Sequence, residues 1–196
     1  DLEPCVGSIE VAEAFSKAAR KRSRPVRVHL KINTGMNRFG LSWRAVDSWG
    51  QRLKDLAGLE FCGALSHFAQ SDELDKGFAR TQSQRFEGVL KCLSDQDIRP
   101  QWIHHCNSGG VLDLPDAHFN RVRVGLLAQG VYPSEVCRRL EGVLPVLSLR
   151  ARLTAIQELE IGDMVGYGMR WQAQRPSRIG VLSVGYGDGY PRLRNQ

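Results

Sequence analysis

Several features are missing from this sequence, and each absence excludes a class of protein. The 196 residues contain no run of about 18 apolar residues, so we expect no transmembrane helix. The N-terminal stretch lacks the basic and then apolar regions of a signal peptide. The five cysteines include no CxxC pair and no zinc-site spacing. We therefore expect a cytoplasmic protein with reduced thiols, no metal ion and no membrane partner.

The net charge of +6 raises the question of a nucleic-acid partner. The basic residues are scattered, except for a cluster at 20–24 that ends a helix-like stretch, where cations suit the helix dipole. We therefore predict no nucleic-acid partner. An anionic small molecule would use positive charge equally well. The hydrophobic share of 42% is sufficient for a packed core.

Helix-like and strand-like periodicity alternate up to about residue 135. Ser8 is a plausible N-cap for the first helix, and Val26–Asn33 alternates strictly, as a strand does. The predicted helices cover 8–20, 42–56, 74–93 and a short segment after 106, and the predicted strands cover 26–33, 61–67, 102–106 and part of 118–127 around Val122 and Val124.

Strands that alternate with helices indicate βα units and a parallel sheet. Four units fit the first part of the chain, whereas an eight-stranded barrel needs about 250 residues. The pattern therefore predicts half a barrel or a small open sheet. One face of the first predicted strand carries Arg27, His29, Lys31 and Asn33 and is wholly polar, which favours strand ends that line a functional mouth.

The pattern changes after Pro145. Residues 146–156, 164–171 and 179–184 are strand-like, and no helical segment separates them. We therefore predict an α/β domain over 1–140, comprising about four strands of a (β/α)8 barrel, and the start of an all-β domain over 141–196.

Two segments place polar side chains at the ends of predicted strands. In residues 31–40 (KINTGMNRFG), a strand ends near Lys31 and the following loop presents Arg38. His67 ends another strand. Loops after strand C-termini carry sites in α/β proteins. A solvated loop and a structural histidine are the alternatives.

Two further segments suggest a phosphate site. In residues 104–110 (HHCNSGG), a strand meets a turn whose hydroxyl and N–H groups could hold a phosphate, or simply cap a helix. The adjacent histidines point to opposite faces, so they do not chelate one ion. Arg121 and Arg123 share a strand face, and Gly125 allows close approach of a ligand.

Two tyrosines of the predicted β-domain, Tyr167 and Tyr186, lie between glycines, either as functional or as turn residues.

Taken together and in this order, the segments resemble the alanine racemase family of fold-type III pyridoxal-phosphate enzymes, from about residue 5 to residue 194. The resemblance implies a cytoplasmic isomerase that interconverts L-alanine and D-alanine, a precursor of peptidoglycan. It also implies an N-terminal (β/α)8 barrel, a C-terminal β-domain, and a homodimer whose sites lie between one subunit's barrel and the other's β-domain.

The resemblance implies specific roles for residues that bind pyridoxal phosphate. Arg38 is similar to an arginine that contacts the phenolic oxygen and the substrate carboxylate, and Lys31 to a lysine that is carbamylated in some members. Ser108 and the backbone of Gly125 and Leu126 are similar to the phosphate cradle, with Asn107 beside them.

The resemblance implies catalytic roles as well. Arg123 is similar to the arginine that faces the pyridine nitrogen. His67 is similar to the histidine that bridges this arginine to a catalytic tyrosine. Tyr167 is that tyrosine, the base on the L-face of the substrate, and it needs cationic neighbours to act as one. Tyr186 and Arg192 are similar to residues along the path of the substrate.

The sequence departs from the family pattern at Asn33, Val124, 109–110 and 128–129, which leaves the substrate open. None of its six lysines lies in the family's Lys-Ala-Asn-Ala-Tyr-Gly-type cofactor motif. We therefore expect a fragment that lacks the cofactor-lysine region and the end of the β-domain, and that has no racemase activity alone. A racemase of serine, lysine or broad specificity, and a non-catalytic binding or assembly domain, are the alternatives.

Overall fold

The computed structural model describes residues 2–191 and divides into two units after Val146. The sequence placed this junction after residue 140. The first unit contains a parallel sheet of β1 (Cys5–Val6), β2 (Val26–Asn33), β3 (Leu41–Ser42), β4 (Leu59–Leu65) and β5 (Trp102–His104). The strand order is β1-β2-β4-β5, and β3 pairs with the end of β2.

The parallel strands of this sheet follow one another in chain order. Every pairing among them is parallel, and Arg121 continues the series through an isolated bridge to His104 beside β5. A doubly wound sheet would instead reverse its strand order at a switch point. The observed order is the one expected of consecutive strands in a (β/α)8 barrel.

Among the described residues, the first unit contains four α-helices. They are α1 (Ile9–Arg22), α2 (Val46–Lys54), α3 (Gly77–Asp95) and α4 (Ser108–Asp113). Ser8 caps α1 as the sequence predicts, because its hydroxyl accepts the N–H of Val11 at 3.3 Å. Val28, Leu30 and Ile32 of β2 are fully buried in a core that includes residues of α1, α2 and α3. None of the described helices is long and apolar enough to cross a bilayer.

The strand predicted within 118–127 is largely wrong. Beyond the bridge at Arg121 the backbone leaves the sheet, and residues Leu126–Gln129 form a 3-10 turn. The physical reason lies in the hydrogen bonds: the N–H of Arg123 donates to Cys106 O, and the N–H of Gly125 donates to Ser108 Oγ, both at 3.0 Å. These groups are therefore bound to the loop after β5 and not to a strand ladder.

The second unit is built from antiparallel pairs. Strand β6 (Leu153–Leu159) pairs with β9 (Ser177–Leu182), and β7 (Met164–Val165) pairs with β8 (Trp171–Gln172). The all-β prediction is confirmed, but two boundaries differ. Residues 146–152 form no strand, because β9 ends opposite Leu153. The predicted strand 164–171 is interrupted at residues 166–170, which form the turn between β7 and β8, with Gly166 and Gly168 at φ of 73° and 76°.

The loop between β4 and α3 is fastened to α4 by two polar contacts. The Ser71 hydroxyl donates to Asn107 Oδ1 at 2.7 Å. The Lys76 ammonium donates to Asp113 Oδ2 at 2.8 Å and to Ser71 O at 2.7 Å. The side chains of Lys76 and Asp113 are only 16% and 11% exposed. This ion pair therefore helps to fix the position of Ser108, at the start of α4.

We expect Lys76→Met to lower the free energy of unfolding by roughly 2–3 kcal/mol, because it leaves the carboxylate of Asp113 largely buried without its cation. Lys91→Met is the matched control, since the Lys91–Asp95 pair is exposed and should contribute about 0.5 kcal/mol or less. Urea unfolding of both variants measures the difference. Equal losses in the two variants would contradict a structural role for the Lys76–Asp113 pair.

Candidate active site

The guanidinium of Arg123 lies against the ends of two parallel strands. Its Nη2 donates to Ser66 O at 2.7 Å, just after β4, and to His105 O at 3.3 Å, just after β5. Its Nη1 donates to His104 O at 3.1 Å. The carboxyl ends of parallel strands are where α/β proteins place their sites. Arg123 therefore lies at the edge of the sheet where such sites are found.

Two imidazoles also bind this guanidinium. Nη1 lies 2.8 Å from His104 Nδ1, and Nη2 lies 3.1 Å from His67 Nδ1. A guanidinium has only donors, so each Nδ1 must be an acceptor. His67 and His104 therefore both carry their proton on Nε2. Burial lowers the pKa of Arg123, but an arginine remains charged in proteins.

Three cations, Lys31, Arg38 and Arg123, lie near one another in this part of the unit. Burial, Arg123, Lys31 and Arg38 together lower the pKa of His67 to about 4. Burial and the charges of Arg123 and Arg38 lower the pKa of Lys31 to about 8. Lys31 is 4% exposed, and among residues 2–191 its ammonium donates only to Ile32 O, at 3.4 Å. It lies 5.7 Å from the centre of the Phe39 ring. A buried lysine of this kind is partly neutral near pH 8.

Arg38 lies on the exposed loop after β2. It forms no hydrogen bond with the described residues, although its charge acts on Lys31 and His67. Asn33 shapes this loop, because its Oδ1 accepts the N–H groups of Gly35 and Asn37 at 3.1 and 3.0 Å. The guanidinium of Arg38 is therefore free to contact an anion from outside the unit.

Backbone N–H groups converge on the hydroxyl of Ser108. The N–H of Gly125 donates to Ser108 Oγ at 3.0 Å, and the N–H of Leu127 does so at 3.2 Å. The sequence named Leu126, whereas the donor seen here is its neighbour Leu127. A Cβ at Gly125 would meet no atom closer than Ser108 Oγ at 4.0 Å, so this side of the turn is open.

Asn107 caps α4 and does not face the cradle. Its Oδ1 accepts the N–H of Gly110 at 3.0 Å and the hydroxyl of Ser71 at 2.7 Å. Of the two roles that the sequence allowed for this turn, Asn107 fills the cap and Ser108 fits the phosphate cradle. The Ser108 oxygen already accepts both N–H groups, so the polar group left for a ligand at this turn is the Ser108 O–H.

The second unit carries the predicted tyrosines. Tyr167 is 95% exposed and lies between Gly166 and Gly168 in the turn after β7. Tyr186 is 72% exposed and begins a 3-10 turn that ends at Asp188. Arg192 lies outside the described residues. The roles of these three residues stay predictions.

Sequence reasoning missed the partner of Arg123 on its far side. His104 was considered only as a possible metal ligand with its neighbour, and His29 only as one of the polar residues of β2. The structure brings His29 Nδ1 to 2.8 Å from His104 Nε2. The wholly polar face of β2 was the available signal, but it did not identify which strand the imidazole would reach.

Comparison with known proteins agrees with this geometry. The family model "Alanine racemase, N-terminal domain" matches residues 1–133, and "Alanine racemase, C-terminal domain" matches residues 146–196. The chain belongs to the alanine racemase family. It is therefore a member of an isomerase family that depends on pyridoxal phosphate.

Individual relatives agree with the family match. Alanine racemase of Actinobacillus succinogenes is 37% identical over 193 residues, which cover 98% of this chain and 52% of the relative. The corresponding enzyme of Helicobacter pylori is 36% identical over 200 residues, covering 98% and 53%. The chain thus spans about half the length of the curated relatives it matches.

Solved structures give the same result for the fold. The biosynthetic alanine racemase of Pseudomonas aeruginosa matches with a TM-score of 0.78 at 35% identity, over 96% of this chain and 51% of that one. The enzyme of Streptomyces coelicolor matches with a TM-score of 0.78 at 31% identity, over 97% and 51%. The predicted fold class, a partial (β/α)8 barrel followed by a β-domain, is confirmed.

His105 is a buried histidine behind the site. Its ring is fully buried, stacks on Phe68 with centroids 3.8 Å apart, and lies 5.1 Å from the ring of Phe86. Neither ring nitrogen has a hydrogen-bond partner among the described residues. Burial, followed by the charge of Arg123, lowers the pKa of His105 to about 3. The folded state therefore holds this ring neutral.

We expect this histidine to make the fold sensitive to acid. The unfolded chain takes up the proton near pH 6.5 and the folded chain only near pH 3, so stability falls as the pH drops through this window. His105→Phe, which keeps an aromatic ring between Phe68 and Phe86, should flatten the loss. Urea unfolding at pH 7 and pH 5 measures it. An unchanged difference between the two pH values would contradict this assignment.

Proposed function

We propose that the protein interconverts L-alanine and D-alanine with pyridoxal phosphate, and that this activity supplies D-alanine for peptidoglycan. The observation that carries the proposal is Arg123, a cation held among strand-end carbonyls with His67 at 3.1 Å. Membership of the alanine racemase family supports the choice of reaction and substrate.

The residues present fit pyridoxal phosphate. A phosphate needs hydrogen-bond donors and positive charge. The Ser108 oxygen accepts the N–H groups of Gly125 and Leu127, so its own O–H is left to donate to a phosphate at this open turn. Arg123 and Arg38 supply charge for the pyridine nitrogen, the phenolic oxygen and the substrate carboxylate. Asn107 and Leu126 support the cradle from beside it. When bound, the cofactor delocalises the charge left on the α-carbon after its proton is removed.

Arg123 sets the electronic character of the site. An arginine does not release its proton, so a ring nitrogen that faces it stays unprotonated. Such a nitrogen withdraws electrons less strongly, which disfavours side reactions such as transamination. The hydrogen bonds to Ser66, His104 and His105 hold the guanidinium in place for this contact.

His67 and Tyr167 handle the proton. Racemisation removes the α-proton from one face and returns it at the other, so a base is needed on each side. With Nδ1 of His67 bound to Arg123, its Nε2–H points away from the arginine and is left as a donor. By the family resemblance, His67 bridges Arg123 to the catalytic tyrosine. Tyr167 is the proposed base on the L-face. The base on the other face is not assigned to a residue of this chain.

Arg38 helps to bind the substrate carboxylate, and Lys31 orients Arg38. A lysine with a pKa of about 8 has enough neutral amine to react with carbon dioxide, and carbamylation would convert this cation into an anion beside Arg38. Such a carbamate would orient the guanidinium of Arg38 and relieve its repulsion from Lys31. Tyr186 and Arg192 line the path of the substrate in this proposal.

We further propose a cytoplasmic homodimer with sites shared between subunits. The family resemblance supports this arrangement, and so does the position of Tyr167, whose 95% exposure leaves it free to be covered by a second subunit. Neither nucleic acid nor a membrane has a part in the proposed function.

The test uses the full-length protein with pyridoxal phosphate, and D-alanine should form from L-alanine. In deuterated water, Tyr167→Phe should slow α-proton exchange from L-alanine by about 100-fold or more and affect D-alanine far less, because only one face loses its base. Tyr190→Phe, at an exposed tyrosine of the same unit, is the control. Equal slowing from both enantiomers would overturn the role of Tyr167, and the absence of D-alanine would overturn the function.

A further inference from the structure

A row of hydrogen bonds continues from Arg123 across the strands of the sheet to Glu3, which precedes β1. Arg123 Nη1 lies 2.8 Å from His104 Nδ1, and His104 Nε2 lies 2.8 Å from His29 Nδ1. His29 Nε2 in turn lies 3.0 Å from Glu3 Oε2. The rings of His29 and His104 are each 5% exposed, so this row is shielded from water for most of its length.

The chemistry of the two ends fixes the position of every proton. Arg123 can only donate, so His104 Nδ1 accepts and its proton sits on Nε2. That proton is donated to His29 Nδ1, which places the proton of His29 on Nε2, directed at Glu3. The carboxylate of Glu3 can accept it, and the bond from His29 lowers the pKa of this carboxyl group. All three bonds therefore donate in one direction, away from Arg123.

Gly63 makes the contact between the histidines sterically feasible. His29 is on β2 and His104 on β5, and β4 lies between them, with Gly63 paired to His29. A Cβ at position 63 would lie 2.1 Å from His29 Nδ1 and 2.6 Å from its Cγ. The imidazole thus lies across the backbone of β4, in space that any side chain at this position would fill.

The same residues could be considered as metal ligands. Ligand atoms of Glu3, His29 and Cys62 lie within 4.8 Å of one another. A metal on His29 Nε2 would force the proton of His29 onto its Nδ1. His104 would then have to accept that proton's hydrogen bond at Nε2. Arg123, however, already requires His104 to accept at Nδ1. A neutral imidazole cannot accept at both nitrogens. Arg27, 2.8 Å from Glu3, adds a repelling positive charge. The hydrogen-bond row and a metal site therefore exclude each other, and the geometry favours the row.

We propose that Glu3, His29 and His104 are positioning residues that orient the guanidinium of Arg123 through this one-directional row, with Gly63 as the opening that lets it cross β4. This inference rests on the proposed function, in which Arg123 faces the cofactor. The row anchors Nη1, while Nη2 binds Ser66 O and His67. The row also links Arg123 to the negative charge of Glu3 through two polarised imidazoles, while the carboxylate itself stays outside the site.

The proton positions can be observed without any catalysis. In 15N-histidine spectra of the full-length protein, His29 and His104 should each show a protonated Nε2 and a bare Nδ1, with both N–H protons shifted downfield by hydrogen bonding. Glu3→Leu should shift or broaden the His29 N–H signal, and Glu60→Leu, which removes the other carboxylate near Arg27, should not. A protonated Nδ1 on either ring, or loss of both signals on adding Zn2+, would overturn the proposal.

A pair of substitutions at position 104 tests whether the row orients Arg123. The oxygen of Asn can take the place of Nδ1 and still accept from Arg123, whereas the Gln amide reaches the position of Nε2 and abandons Arg123. We expect His104→Gln to lower kcat by about 100-fold with little change in KM, because a small displacement of a catalytic group has an effect of that size. His104→Asn should keep most of the parent kcat. Equal kcat values for the two variants would overturn the positioning role.

Gly63→Ala tests the crossing, with Gly88→Ala as its control, because a Cβ at Gly88 on α3 meets no atom within 4 Å. Gly63→Ala should abolish the His29 N–H signal and reduce kcat, while Gly88→Ala should change neither. A retained His29 signal in Gly63→Ala would contradict the proposed path.

The proposed function and the proposed row can be overturned separately. If the tautomers are as expected but no racemisation occurs, the row stands and the proposed function falls; if racemisation occurs with other tautomers, the row falls alone.

Discussion

Five acceptors converge on the guanidinium of Arg123: three carbonyl oxygens at strand ends and one nitrogen from each of two imidazoles. Parallel strands leave their last carbonyl groups without ladder partners at the same edge of the sheet, and the guanidinium satisfies those that follow β4 and β5. The cation that the proposed chemistry needs is thus also a structural tie between these strands. Hydrogen bonds to a charged donor are stronger than neutral ones, which offsets the cost of partly burying the charge.

No carboxylate contacts this guanidinium directly among the described residues. Its positive charge consequently acts on its surroundings, together with burial, and it contributes to the low pKa of His67, His104 and His105. A neutral His67 accepts from Arg123 at one nitrogen and keeps a donor at the other. The nearest negative charge on the far side is Glu3, and it is reached only through two imidazoles. The positive charge of Arg123 is therefore not neutralised on the side that faces the proposed cofactor.

Much of the fold follows from the sequence alone. Strict alternation fixed β2 at Val26–Asn33, and Ser8 fixed the start of α1, because both signals are local. The segment 118–127 could not be predicted, since its N–H groups bind Cys106 and Ser108, partners that only the folded chain brings near. The same holds for Leu127, which supplies the N–H that the sequence assigned to Leu126. Local pattern predicts which residues alternate but not which loop captures a backbone group.

The sequence predicts which residues form the site but not which of them contact one another. Lys31, Arg38, His67, Ser108 and Arg123 follow from the resemblance, and the structure places the charges of the lysine and the two arginines close enough to act on His67. The contact of His29 with His104 requires the strand order β2-β4-β5 and a glycine at position 63, and no spacing within the sequence expresses that combination. Glycines on central strands are therefore worth examining for side chains that cross over them.

The central claim is that the charge of Arg123 controls the ionisation of the groups around it. The most direct measurement is the titration of His67 by NMR in the parent protein and in Arg123→Gln. We expect a pKa of about 4 for His67 in the parent protein. In the variant we expect a higher value that stays below 6.5, because burial is the larger cause and persists. A parent value near 6.5, or the same value in both proteins, would contradict it.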